Sequence, residues 1–90
     1  TIFLSIEKEG EVTLCFLKKE YRLNIDPLSE IFTSAKDMFV TVKGHLIFSK
    51  YNTTMAIIDK CNGDSILLDD YTILEMAEWI TDNTRGFEDD

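Results

Sequence analysis

Residues 39–68, FVTVKGHLIFSKYNTTMAIIDKCNGDSILL, decide the fold. Four apolar runs, Phe39 to Lys43, Leu46 to Tyr51, Met55 to Asp59 and Ser65 to Leu68, alternate with turn residues at Gly44-His45, Asn52-Thr53 and Asn62-Gly63. Runs this short, rich in β-branched and aromatic residues, are strand-length rather than helix-length. Strands joined by such short connections pair antiparallel. Asn62-Gly63 is a strong hairpin signal, because both residues tolerate the positive φ that a type I′ turn demands.

Outward from this stretch, Ile2, Leu4 and Ile6 alternate with Phe3 and Ser5, and Val12, Leu14 and Phe16 alternate beyond Gly10, which predicts a hairpin of residues 2–7 and 12–17. Tyr21, Leu23 and Ile25 mark a third strand. Asp26-Pro27 then offers an N-cap and a proline at the first helical position. Leu28, Ile31, Phe32, Ala35, Met38 and Phe39 follow at the spacing of one apolar face, so a helix is expected from residue 27 to about 38. At the other end, Thr72 with Glu75 has the pattern of a capping box, and Tyr71 with Met76 that of a hydrophobic staple. Ile73, Leu74, Ala77 and Ile80 form the expected buried stripe, with Gly86 as the stop. The order βββ-α-ββββ-α describes an α+β domain with a largely antiparallel sheet and two amphipathic helices.

Ninety residues make a single domain, 1–90, with one hydrophobic core. A hydrophobic share of 44% with six Phe, three Tyr and one Trp marks a chain that folds rather than one that stays disordered. No apolar run approaches a membrane span, and the start carries no basic segment followed by an apolar one, so a soluble, cytoplasmic protein is expected. Cys15 and Cys61 form neither a CxxC pair nor a disulfide framework, and they are expected to be reduced, buried and chemically quiet. Several strands are apolar on both faces: Leu14 to Leu17, Leu46 to Phe48, Met55 to Ile58 and Ile66 to Leu68. If both helices cover one face, a second copy of the chain is the expected cover for the other, giving a homodimer. The alternative is a monomer with one helix on each face.

The charge is one-sided. Residues 61–90 carry nine carboxylates against the single cation Arg85, whereas residues 1–60 carry eight acids and eight basic residues, so the whole net charge of −8 resides in the last third. A field of that shape steers positively charged partners. Glu75, Glu78 and Asp82 share one face of the final helix, Asp69 and Asp70 precede its first turn, and Glu88, Asp89 and Asp90 close the chain. A solvated helix face ordinarily sets a Lys or Arg four residues after each Glu. Here Trp79 follows Glu75 and Asp82 follows Glu78, and like charges at that spacing repel.

Small size, surplus carboxylates and the Glu75/Glu78/Asp82 stripe resemble the acidic DNA-mimic inhibitors that phages encode against host restriction and repair enzymes. That resemblance is one of character over the carboxy-terminal third, without a sequence motif. It implies a non-enzymatic inhibitor that blocks a basic nucleic-acid-binding protein, such as a nuclease, with Asp69, Asp70, Glu75, Glu78, Asp82, Glu88, Asp89 and Asp90 as the partner-binding residues. Trp79, beside the stripe, is the candidate anchor if exposed and a core residue if buried. The acidic tail 87–90 is a candidate disordered end. The balanced first sixty residues, with Lys18-Lys19, depart from the type.

Other chemistry is poorly represented. The lone His45 sits in an expected turn, and the chain has no serine nucleophile elbow, no H-E-x-x-H and no phosphate-cradling glycine loop. Pairing of His45 with Cys15 or Cys61 is formally possible, but both thiols sit beside strand-like apolar runs, where desolvation is expected to make them inert. The Asp59 to Asp70 segment lacks the calcium-loop pattern, so no metal or other cofactor is expected. With Lys18, Lys19 and Arg22 as its only local basic group, direct nucleic-acid binding is disfavoured too. The competing functional reading is a protein-interaction or structural subunit that docks through apolar sheet or helix surface, its acids conferring only solubility.

Overall fold

A computed structural model describes the backbone of residues 2–88 and the side chains as far as residue 83. Its elements are β1 (Ile2–Lys8), β2 (Glu11–Phe16), β3 (Lys19–Asn24), α1 (Ile25–Thr33), β4 (Met38–Lys43), β5 (Leu46–Tyr51), β6 (Thr54–Asp59), β7 (Ser65–Leu68) and α2 (Asp70–Glu88). This is an α+β fold in the order the sequence predicts, with every strand pair antiparallel. The strands form two separate meanders, β1-β2-β3 and β4-β5-β6-β7, with α1 between them in the chain.

One hydrophobic cluster joins both sheets and both helices. Val12, Leu14 and Phe16 enter it from β2, Leu46 and Phe48 from β5, Met55 and Ile57 from β6, and Leu68 from β7. The helices contribute Ile25, Leu28, Ile31 and Phe32 from α1 and Ile73, Met76 and Ile80 from α2. Phe32 meets Phe48 edge-on with ring centroids 6.3 Å apart, which locks α1 onto β5. The sheets are also tied by a polar bond: the Tyr21 hydroxyl on β3 donates to Asp59 Oδ2 on β6 at 2.6 Å.

Several boundaries differ from the sequence expectation. α1 starts after Asn24 and ends at Thr33, five residues short of the expected end. Pro27 is its third residue rather than its first, which costs no backbone bond because the first four helical N–H groups have no intrahelical acceptor. The end is set by hydroxyl chemistry. Thr33 Oγ1 donates to the Ser29 carbonyl at 2.7 Å, and Ser34 turns extended and accepts the Lys36 N–H on its Oγ at 3.2 Å. Lys50 Nζ, 3.4 Å from the Ser34 carbonyl, supports that end. Ala35 is therefore exposed, and Met38 and Phe39 belong to β4.

The Asn62-Gly63 connection is not a type I′ hairpin. Of the two residues only Gly63 has positive φ, and Asn62 Oδ1 instead accepts the Asp64 N–H at 2.9 Å, which makes a longer loop between β6 and β7. The two-residue turn in which both residues take positive φ lies instead at Leu17-Lys18, without a glycine. On α2 the cap is Asp69, whose Oδ1 accepts the Thr72 N–H at 2.9 Å, so Thr72 lies inside the helix and not at its cap. Gly86 lies within α2 and does not stop it. The buried stripe is Ile73, Met76 and Ile80, while Leu74 is 58% exposed. Starting the helix three residues earlier does not rotate its faces; the i, i+3, i+7 set 73/76/80 centres the stripe one residue away from the one that includes Leu74.

Candidate functional site

The acidic face of α2 is present as a surface. Asp70, Glu75, Glu78 and Asp82 are exposed, and among the described residues none of them joins an ion pair; the ion pair found there is the exposed Arg22–Glu7 contact at 3.8 Å. Leu74, Ala77, Glu78, Thr81 and Asp82 line a shallow open depression of about 540 Å³ along this face. Asp69 is exposed but engaged, since the Thr72 N–H it accepts holds its carboxyl below the usual carboxylate range. Tyr71 stands beside Glu75; a hydrogen bond to that carboxylate, and its charge, raise the phenol above its ordinary value. Trp79 is half-buried against the core, and Asn83 Nδ2 donates to its carbonyl at 2.7 Å. Among the described residues of this helix, the exposed large apolar side chains are Tyr71 and Leu74 instead. Glu88 lies in α2, its side chain outside the described residues, and Asp89 and Asp90 lie outside them altogether.

A second surface arises from strand register. On the side of the four-stranded sheet away from the core, Val40, Ser49, Ala56 and Leu67 form one cross-strand row. Val42, Ile47, Ile58 and Ser65 form the next row, and Met38, Tyr51 and Thr54 the row on the other side. In a chain with 29% charged residues, this face carries none. Met38, Val40, Tyr51 and Leu67 are each more than 60% exposed, so no element among the described residues covers it. Ser49 and Ala56 make its middle lower than the flanking rows. The sheet is bounded by β4 and β7, whose outer backbone edges pair with no other strand among the described residues.

The third cluster corrects the expectation for the thiols. Cys15 is half-buried, but Cys61 is exposed, and its Sγ lies 3.2 Å from His45 Nδ1. Desolvation therefore does not silence Cys61. The β6 strand ends here at Asp59, 2% exposed, whose Oδ2 accepts the Tyr21 hydroxyl and whose Oδ1 accepts the Cys61 N–H at 2.8 Å. Those bonds, Tyr21's first, hold the Asp59 carboxyl below the usual carboxylate range although burial opposes them. Tyr21 is pushed up to about 12 by burial and then by the Asp59 carboxylate. Sequence reading paired His45 with Cys61 only formally, because the loop that brings residue 61 back beside residue 45 is set by strand register.

Among the described residues no group of three or more His, Cys, Asp or Glu side chains is placed to hold a metal ion, and no helix is long and apolar enough to cross a membrane. Comparison with protein-family models, curated proteins and solved structures finds no match to this chain.

Proposed function

We propose that this chain is a non-enzymatic protein-interaction subunit that pairs with a second copy of itself through the outer face of the β4-β5-β6-β7 sheet. The observation that carries the reading is the complete lack of charge on an uncovered sheet face. A solvated antiparallel face alternates polar residues outward, whereas this one presents Val, Ile, Leu, Met and Tyr with small neutral residues between them. An uncharged face suits a like face, since neither copy strands a charge in the contact, and soluble homo-oligomers are most often two-fold dimers. Sheet-on-sheet packing at about 10 Å also suits rows of medium-sized side chains with a low centre. Sedimentation equilibrium over a range of concentrations tests it: a mass that rises from one chain to two supports pairing, and a single-chain mass throughout removes it.

A distinct observation favours a second role for the same protein. Among the described residues Glu75, Glu78 and Asp82 face solvent without a cation, which opposes helix stability yet offers carboxylates at about one-turn spacing, ~5.4 Å, to a basic surface that ordinarily grips phosphate. A basic nucleic-acid-handling protein is the partner that such a face fits. Affinity for it should fall steeply with ionic strength, whereas pairing through the sheet should change little.

A further inference from the structure

At the end of the molecule where the β4–β5 turn meets the β6–β7 loop, an exposed thiol and an exposed imidazole are held together by backbone on both sides. The Lys60 N–H donates to the His45 carbonyl at 3.0 Å, which ties the two connections to each other. The neighbouring Cys61 N–H donates to Asp59, a carboxylate fixed in turn by Tyr21. Two side chains sixteen residues apart are thus set with Sγ and Nδ1 at 3.2 Å by anchored backbone, and not by the chance meeting of two free loops. Beside them lies an open depression of about 380 Å³ lined by Lys19, Glu20, Tyr21, His45, Asp59 and Cys61, through which a small molecule can reach the thiol.

We infer that Cys61 and His45 form a reactive thiol–imidazole pair that is modified by a low-molecular-weight disulfide of the glutathione disulfide class, which makes Cys61 a site of reversible mixed-disulfide formation. With the ring in its Nε2–H tautomer, His45 Nδ1 accepts the thiol proton, and the Cys61 thiolate attacks one sulfur of the disulfide. A new S–S bond forms to Cys61, the old S–S bond breaks with its electron pair on the departing sulfur, and that sulfur takes the proton back from His45. One protein thiol is oxidised and one small thiol is released, so no further oxidant is needed. The surroundings explain why a base is required. Lys19 is the cation lining the depression, but Glu20 and Asp59 line it too and the Asp64 charge reaches Tyr21, so positive charge does not dominate there. Lys19 is placed to meet a carboxylate of the disulfide. This inference does not depend on the proposed pairing through the sheet face.

The test uses the full chain with Cys15→Ser, which leaves Cys61 as the single thiol, and an aromatic disulfide, dithiobis-nitrobenzoate, as the probe. A free thiol is only a few per cent ionised at neutrality, so assistance is worth at most roughly 30-fold, and the protein should react about 10- to 30-fold faster than its His45→Gln variant near pH 7. The gap should close at about pH 10, where thiols ionise unaided. His45 is exposed in a turn, and circular dichroism checks that the variant folds. Independently of any change at His45, the native thiol should react faster at neutral pH than the same thiol in urea. Glutathione disulfide should leave one adduct, on Cys61, that added thiol removes. Equal rates with and without His45 at neutrality, or a native thiol slower than the unfolded one, would overturn the inference.

Discussion

Replacing Val40 by Asp should abolish self-association while leaving the single chain folded. Val40 is 69% exposed at one end of the Val40-Ser49-Ala56-Leu67 row, so in the isolated chain the change meets water and costs at most the ~1 kcal/mol range of strand propensity. Across the face, four strands about 4.8 Å apart and six residues at about 3.4 Å give roughly 400 Å² per copy. That lies within the ~300–600 Å² of the largest apolar patches on monomers, which are often functional. Two copies remove roughly 800 Å², worth about 20 kcal/mol before costs at ~25 cal/mol per Å². Association costs about 4–15 kcal/mol, which leaves roughly 5–16 kcal/mol, a range that contains the ~8 kcal/mol of micromolar dissociation. A short carboxylate cannot reach round to solvent as Lys would, and an unpaired charge held in the contact costs several kcal/mol, hence more than about 100-fold in affinity. Phe3→Asp is the matched control: Phe3 is 64% exposed on β1 of the other sheet, and its replacement should leave association unchanged. Sedimentation velocity from low to high micromolar concentration reads all three proteins. Association of Val40→Asp equal to the parent, or its loss in Phe3→Asp as well, would refute the assignment of this face.

Tyr21→Phe removes the donor that does most to hold the Asp59 carboxyl low. A carboxylate with a depressed folded pKa contributes stability above its unfolded pKa and loses it as pH falls through the folded value. The variant should therefore be less stable at neutral pH, with the difference from the parent shrinking in acid; urea melts across the acidic range measure it, and an unchanged pH profile would contradict the tie. Leu17→Asn with Lys18→Gly should stabilise the β2–β3 turn by about 1 kcal/mol, because both positions hold positive φ that ordinary side chains resist; thermal melting shows it as a raised midpoint. The combination Glu75→Gln, Glu78→Gln and Asp82→Asn should leave the fold intact or slightly stabilised by relieved repulsion. It should also flatten the salt dependence of binding to a basic partner. Unfolding of that variant would mean that these carboxylates support the structure.

Periodicity and turn residues by themselves determined that this chain is α+β, with seven strands and two helices in their observed order, because a period of two or of about 3.6 is a local property of the chain. They also placed Glu75, Glu78 and Asp82 on the solvent side of α2, since the apolar residues of that helix left them no other. Cap positions were less legible: Asp69, Thr72 and Asp70 are all competent near a helix start, and the bond actually made by Asp69 chooses among them. Tertiary structure alone decided the rest. Whether seven strands make one sheet or two depends on tertiary packing, which no local pattern encodes. The uncharged outer face appears only when four strands are set in register, because Val40, Ser49, Ala56 and Leu67 are far apart in sequence and become neighbours through backbone pairing. For the same reason Cys61 reads as a buried thiol beside an apolar run, yet it emerges in a loop whose geometry, set by Asp59, Asn62 and Gly63, carries it into contact with His45.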